Sequence, residues 1–345
     1  MNHLEELKEF ARLHARGQGM RPAHAEDVLE TISCDTPGDP RSWARMWTAQ
    51  GDIAARRGDL LDACRHYALA RFPCHTDDDR RAAQQRCVST FDEWRREGTG
   101  IQRVEFDHPD GTVACWAAGL DEKRRRPLLL VMGGIVSVKE QWAPLLPKLR
   151  RMGFAAVVTE LPGVGENTCA YHPESWRLLP YLLDRLSGTA DTDDASLLAL
   201  SFSGHLALRA AAEDPRIRRV LTVGAPIADF FTDSQWWPQV PRITVDTLHE
   251  LTGVSDEGEL RALLGKFALG PAELSALQIP VRYVLSSRDE IIPPGDAAML
   301  GRHAQGDVRF KTFDDVHGSP AHLAATRRWL LSSLLRLKFT ARKGS

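Results

Sequence analysis

Several things are scarce in this 345-residue chain, and each scarcity excludes something. Charge of one sign is the first: 44 Lys and Arg stand against 46 Asp and Glu, a formal net charge of −2. That balance sets up no field for a polyanion, so nucleic acid and anionic membranes are not expected as main partners. The basic run Lys123–Arg126 is short and reads as a solvated loop ahead of an apolar stretch. Long apolar runs are missing too. None approaches the roughly 20 residues that cross a bilayer, and the opening MNHLEELKEFARLHARG lacks the apolar centre of a signal peptide.

The six cysteines (Cys34, Cys64, Cys74, Cys87, Cys115 and Cys169) form no C-x-x-C pair. Without a leader, their scatter predicts free thiols in a reducing compartment, and the cytoplasm is the expected location. Nucleotide motifs are absent: there is no G-x-x-x-x-G-K-S/T, and the glycine-rich turn ELPGVGEN (160–167) lacks the G-x-G-x-x-G spacing. His317 and His322 stand five apart with no third ligand at a metal spacing, so neither a metal nor a cofactor is expected. The terminal Gly344 and Ser345 have the look of a cloning remnant.

What is present divides the chain in two. Residues 1–98 are strand-poor and helical in pattern: Leu4, Leu7, Phe10, Ala11 and His14 recur at helical spacing, as do Val28, Leu29 and Ile32. A break at 36–42, dense in Pro37, Gly38 and Pro40, precedes a predicted helical hairpin that turns near Gly58 and Asp59. A cap-like helical domain is the expectation for this part.

From residue 99 the texture changes. Two strands flanking HPDG are followed by apolar strands at 127–132, 154–160, 195–200, 218–225, 280–287 and 308–313, alternating with helical stretches. Such alternation predicts a mostly parallel sheet with helices on both faces, an α/β fold over 99–345. An insertion at about 226–279 interrupts it. Ligands of such sheets bind beyond the carboxyl ends of the strands.

The unusual residues gather at those strand ends. In ASLLALSFSGHLALRAAA (195–212) a strand runs into two serines and then a helix. A nucleophile on such a sharp corner needs small residues two before and two after it. Ser201 has Ala199 and Ser203 there, with Gly204 next; Ser203 would have His205 pressed into the packing, so Ser201 is the better candidate. A serine hydroxyl needs a base, and the base an orienting acid. In this fold class the chain order is serine, acid, histidine. Asp289 follows one late strand and His317 the last, in that order. Asp229, after an earlier strand, is an alternative acid.

Gly133 and Gly134 allow backbone to approach a bound carbonyl, so the N–H of Ile135 or a neighbour, with that of Phe202, could hold an oxyanion. Ser137 to Glu140 reads as an S-x-x-E capping box at a helix start, leaving Lys139 and Glu140 no catalytic role. Glu160 and Glu166 read as turn stabilisers. Within the insertion, Phe230, Phe231, Trp236 and Trp237 suggest a lid over an apolar substrate.

MGGIVSVKEQW, ELPGVGEN, ALSFSGHLALRAAAEDPRIRRVLTVGAP and SSRDEIIPP together resemble one α/β-hydrolase group. It includes 2,6-dihydropseudooxynicotine hydrolase, FrsA-like esterases and polyketide-shortening hydrolases of fungal pigment pathways. The resemblance spans about 100–335, and more loosely the helical N-terminus. It implies a triad of Ser201, Asp289 and His317, a cleft between core and helical part, often a dimer, and hydrolysis of esters or of C–C bonds beside carbonyls. Ala199 and Ser203 stand where that group usually has glycine, and Glu160 where it has Asp. The expected partner is a small-molecule or carrier-bound acyl substrate. Acyl transfer or cyclisation with the same triad, and a catalytically silent interaction protein, are the competing expectations.

Overall fold

The computed structural model describes residues 3–341, so Gly344 and Ser345 lie outside the described residues. Five helices come first: α1 (His3–Gly17), α2 (Pro22–Thr31), α3 (Trp43–Arg56), α4 (Leu60–Ala70) and α5 (Asp78–Arg95). The hairpin of α3 and α4 turns at Gly58 (φ +81°), in the left-handed region that glycine enters without strain. Its helices touch closely where Gly51 faces the ring of Tyr67; an added Cβ there would lie 2.4 Å from that ring. Trp43 and Trp47 are fully buried between these helices, and the Trp43 indole N–H donates to the Leu69 carbonyl at 2.8 Å. Burying one such ring contributes roughly 4–6 kcal/mol of hydrophobic driving force.

Eight strands follow: β1 (Gln102–His108), β2 (Gly111–Ala118), β3 (Pro127–Met132), β4 (Ala155–Thr159), β5 (Asp191–Ala199), β6 (Ile217–Val223), β7 (Val281–Ser286) and β8 (Val308–Phe313). They form one sheet in the order β1-β2-β4-β3-β5-β6-β7-β8. β1 and β2 pair antiparallel, β2 joins β4 antiparallel, and the rest are parallel. β3 is central, with Val131 beside Val158 on one side and Leu198 on the other, and all six of its residues are buried. That is why PLLLVM is a continuous apolar run rather than an alternating one.

The helices around the sheet are α6 (Leu146–Arg151), α7 (Leu178–Leu186), α8 (Phe202–Glu213), α13 (Pro294–His303) and α14 (Leu323–Ala341). The insertion is helical, with α9 (Asp229–Thr232), α10 (Arg242–Thr252), α11 (Glu257–Leu264) and α12 (Pro271–Ser275). Among the described residues no helix is long and apolar enough to cross a membrane. The N-terminal helices are not isolated from the sheet: Ala63, Tyr67 and Phe91 belong to the same apolar core as β2 and β3.

One local expectation fails. Residues 137–140 do not form a capping box, because the segment makes 3-10 turns at Lys139–Gln141 and Ala143–Leu145 before α6 begins. Glu140 turns inward instead of back on the chain. Its Oε1 accepts from the Trp116 indole at 2.8 Å and lies 3.0 Å from the Lys139 ammonium.

Candidate active site

Ser201, Gly134, Asp289 and His317 each follow a strand at the same edge of the sheet: β5, β3, β7 and β8. Ser201 sits at φ +56°, ψ −129°, one of two non-glycine residues with positive φ among those described. Such a conformation costs about 1–3 kcal/mol and must be held by its surroundings. Here the Ser201 N–H donates to the Val223 carbonyl at 2.8 Å, and its own carbonyl accepts from Gly204 at 2.8 Å. Gly204 has to be glycine, since an added Cβ would lie 2.1 Å from the Thr222 hydroxyl.

The three side chains expected to act together form one hydrogen-bonded chain. Ser201 Oγ is 3.0 Å from His317 Nε2, and His317 Nδ1 is 3.0 and 2.9 Å from the two oxygens of Asp289. The nitrogen facing a carboxylate carries the proton, which leaves Nε2 as acceptor for the serine O–H. Asp289 is fixed by the amides of Ile291 and Ile292, which donate to its Oδ1 at 3.0 and 2.8 Å. Glu290 accepts from the His317 amide at 2.9 Å, holding the histidine loop. Burial opposes charge on His317, yet the charge and hydrogen bond of Asp289, helped by Glu290, raise its pKa above 6.5.

Asp229 takes no part in this chain. Its carboxylate packs where a Cβ on Gly295 would stand, 1.7 Å away, while its amide donates to Asp296 at 2.6 Å. Ser203 points inward and donates to the carbonyls of Met132 and Leu200 at 3.0 and 2.8 Å, which explains a serine at a position where glycine is usual. His205 Nε2 donates to the Phe267 carbonyl at 2.7 Å and so ties α8 to the insertion.

A cavity of about 430 Å³ opens in front of Ser201 and His317. Gly134, Ile135 and Phe202 line it beside the serine. An added Cβ on Gly134 would lie 3.0 Å from Ser201 Cβ. Phe202 is the first residue of α8, so its N–H has no acceptor within the helix. Helices from both flanking parts close the cavity: Phe10, Leu13 and His14 of α1, and Ile243 and Thr244 of α10.

The aromatic lid is a correction. Phe230, Phe231, Trp236 and Trp237 are not in the cavity wall. Phe230 packs edge-on against Phe202 at 5.1 Å, and Phe231 stacks on Phe267 at 5.7 Å. The Trp236 indole N–H donates to the Ile291 carbonyl at 2.8 Å and that of Trp237 to Glu257 at 3.0 Å. These rings pack the insertion on itself, on α8 and on the loop after β7, and the insertion meets the cavity through Ile243 and Thr244.

Sequence reasoning missed four supporting residues. Gly224 (φ +57°) lets His317 close in: an added Cβ would lie 2.8 Å from its ring. Asp296 is fully buried and accepts from the amides of Ile227, Ala228, Asp229 and Phe230, anchoring the chain after β6. Glu6 of α1 accepts from the amides of Arg242 and Ile243 at 3.0 and 2.9 Å, capping α10 from the N-terminal helices. Arg71, just past α4, donates to the Val136 carbonyl and so holds the loop that carries Gly134 and Ile135. A glycine after a strand was a readable signal; the others are long-range contacts.

Lys139 is buried among Glu140, Glu160 and Glu166, with Nζ–O distances of 3.0, 3.2 and 2.6 Å. Glu160 also accepts from the amides of Lys139 and Glu166, at 3.1 and 3.0 Å, so it closes the turn at 160–167. Among the described residues no group of three or more His, Cys, Asp or Glu is arranged to hold a metal.

The profile of the family described as esterase FrsA-like matches residues 41–308. The chain is similar to the esterase FrsA of Vibrio cholerae serotype O1, 22% identical over 370 residues that span 95% of this chain and 88% of the relative. A solved structure of wild-type AbyA5 superimposes with a TM-score of 0.93 at 51% identity, covering 98% of this chain and 95% of that one. The fold alone is shared with 2,6-dihydroxy-pseudo-oxynicotine hydrolase, TM-score 0.72 at 17% identity over 92% of this chain and 94% of that one. The chain therefore belongs to the FrsA-like esterase family and is an enzyme of the α/β-hydrolase fold.

Proposed function

We propose that this enzyme is a serine hydrolase that cleaves a carbonyl substrate with an apolar body through an acyl-enzyme on Ser201. The observation that carries the reading is the unbroken contact from Ser201 Oγ through His317 to Asp289 at the wall of an apolar cavity. His317 Nε2 takes the serine proton as Oγ attacks the carbonyl carbon. The carbonyl oxygen becomes an oxyanion beside Ile135 and Phe202, whose N–H groups are the nearest candidates to hold it. His317 then returns the proton to the leaving group, and the acyl-enzyme forms. Water, activated by the same nitrogen, attacks the acyl carbon and restores Ser201. Asp289 keeps the imidazole in the required tautomer throughout. An ester is the bond that the family's description favours; a thioester or the C–C bond of a β-dicarbonyl enters the same chemistry.

Turnover of p-nitrophenyl esters from acetyl to decanoyl tests this. Wild type should hydrolyse them, with kcat/KM rising with acyl length as apolar wall is covered. Ser201→Ala should lower kcat by a factor on the order of 10³ or more. Wild-type turnover in Ser201→Ala would refute the nucleophile.

A further inference from the structure

The cavity wall contains no Asp or Glu. Its charged side chains are the cations Lys148 and Arg327, both exposed at the rim, and a third cation, Arg71, is fully buried beside the wall residue Phe72. Arg71 donates only to the carbonyls of Pro73 and Val136, and among the described residues no carboxylate pairs with it. Such a wall repels a cationic ligand and attracts an anion.

Several polar groups without partners lie in this wall at the seam between α1 and α14, where Gln18 Nε2 and the Thr326 hydroxyl are both buried and unpaired; the Trp142 indole N–H is a further one beside Gly133. His14 stands on the apolar face of α1 and lines the cavity. Its ring lies 4.8 Å from that of Phe72, and among the described residues neither ring nitrogen has a hydrogen-bond partner. Burial first, then the charges of Arg71 and His317, hold its pKa down to about 4, so it is a neutral imidazole with one N–H to give. Gln18 follows one turn later, its amide N–H donating to the His14 carbonyl at 3.0 Å. The Gln18 Nε2 is buried and also unpartnered. Arg327 reaches across from α14, donating from Nη2 to the Gly17 carbonyl at 2.6 Å. Its remaining donors have no partner among the described residues. An imidazole, a carboxamide and a guanidinium thus face one cavity with donors to spare and, among the described residues, no carboxylate in the wall to match them.

We infer that the enzyme's substrate carries, besides its reacting carbonyl, a carboxylate-class anion, and that His14, Gln18 and Arg327 receive it at this seam. The inference rests on the cavity being the substrate site of Ser201. The guanidinium supplies charge and a planar pair of N–H groups, and the two neutral donors saturate the remaining lone pairs. The rest of the substrate lies against Leu13, Val131, Leu198 and Leu330. The helical N-terminus, on this account, selects the substrate as well as covering it.

Calorimetric titration of decanoate and its neutral isostere decanamide into Ser201→Ala protein at pH 8 tests the inference without turnover. Decanoate should bind at least about tenfold more tightly than decanamide. Arg327→Met should abolish that preference, and His14→Phe should reduce it severalfold, with native far-ultraviolet circular dichroism as the control for folding. Equal affinities in the parent protein, no binding of decanoate, or a preference undiminished in both variants would overturn it. A carboxylate preference in an enzyme whose Ser201 proves unreactive would sink the nucleophile and, with it, the assignment of this anion to a substrate, leaving only an anion site at the seam.

Discussion

His317 and Asp289 meet through both carboxylate oxygens, at 3.0 and 2.9 Å from one ring nitrogen, while the adjacent Glu290 holds the histidine's own amide. Ring and backbone of the proposed base are therefore fixed by consecutive residues of one loop. The charged imidazole is the form that Asp289 favours, so the pKa lies above 6.5. The proposed mechanism needs the neutral form. Activity should accordingly fall as pH drops, with an acid-limb midpoint in kcat/KM above 6.5 for an uncharged ester. Asp289→Asn should lower that midpoint and reduce kcat by a factor on the order of 10³–10⁴. A larger loss in Asp229→Asn would assign the acid to the other residue.

Gly224 is predicted to be intolerant of any side chain. Its φ of +57° strains an L-residue, and an added Cβ would push on the His317 ring from 2.8 Å. Gly224→Ala should lower kcat about tenfold or more while the far-ultraviolet circular dichroism stays native, since the strain of roughly 1–2 kcal/mol is borne by a stable fold. Unchanged kcat would mean that the ring has room to spare.

Lys139 should matter to stability far more than a surface lysine. Removing its ammonium in Lys139→Met leaves Glu140, Glu160 and Glu166 facing one another in a buried space. Breaking a buried pair from one side costs about 3–5 kcal/mol, and urea denaturation should read a loss of that size. A change under about 1 kcal/mol, the range of exposed ion pairs, would contradict the account.

Glu6 couples the N-terminal helices to the insertion by capping α10. Glu6→Ala should cost about 1 kcal/mol in unfolding free energy. Ile243 and Thr244 line the cavity, so loosening α10 should also raise KM for long-chain esters more than it lowers kcat. Equal KM values for wild type and variant would separate the cap from substrate binding.

Much of the architecture was readable because its signals are local. Fully buried strands such as 127–132 appear as unbroken apolar runs, and the turn at Gly58 and Asp59 is where α3 and α4 meet. The order of Ser201, Asp289 and His317 along the chain, with small residues around the serine, was enough to nominate them together. What escaped was set by contacts between distant segments. Phe230, Phe231, Trp236 and Trp237 look alike in the sequence whether they face a ligand or each other, and here Phe267 and Phe202 claim two of them. The S-x-x-E pattern at Ser137 lost to Trp116 and Lys139, which draw Glu140 inward. His14 fitted the apolar face of α1 by spacing alone; only the cavity shows that its ring has nothing to bond.

The most direct test of the central claim is intact mass after incubation with a small fluorophosphonate, on wild type, Ser201→Ala and Ser203→Ala. An activated serine at Ser201 predicts a single adduct on wild type and on Ser203→Ala, and none on Ser201→Ala. An adduct that survives Ser201→Ala, or that disappears only in Ser203→Ala, would contradict it.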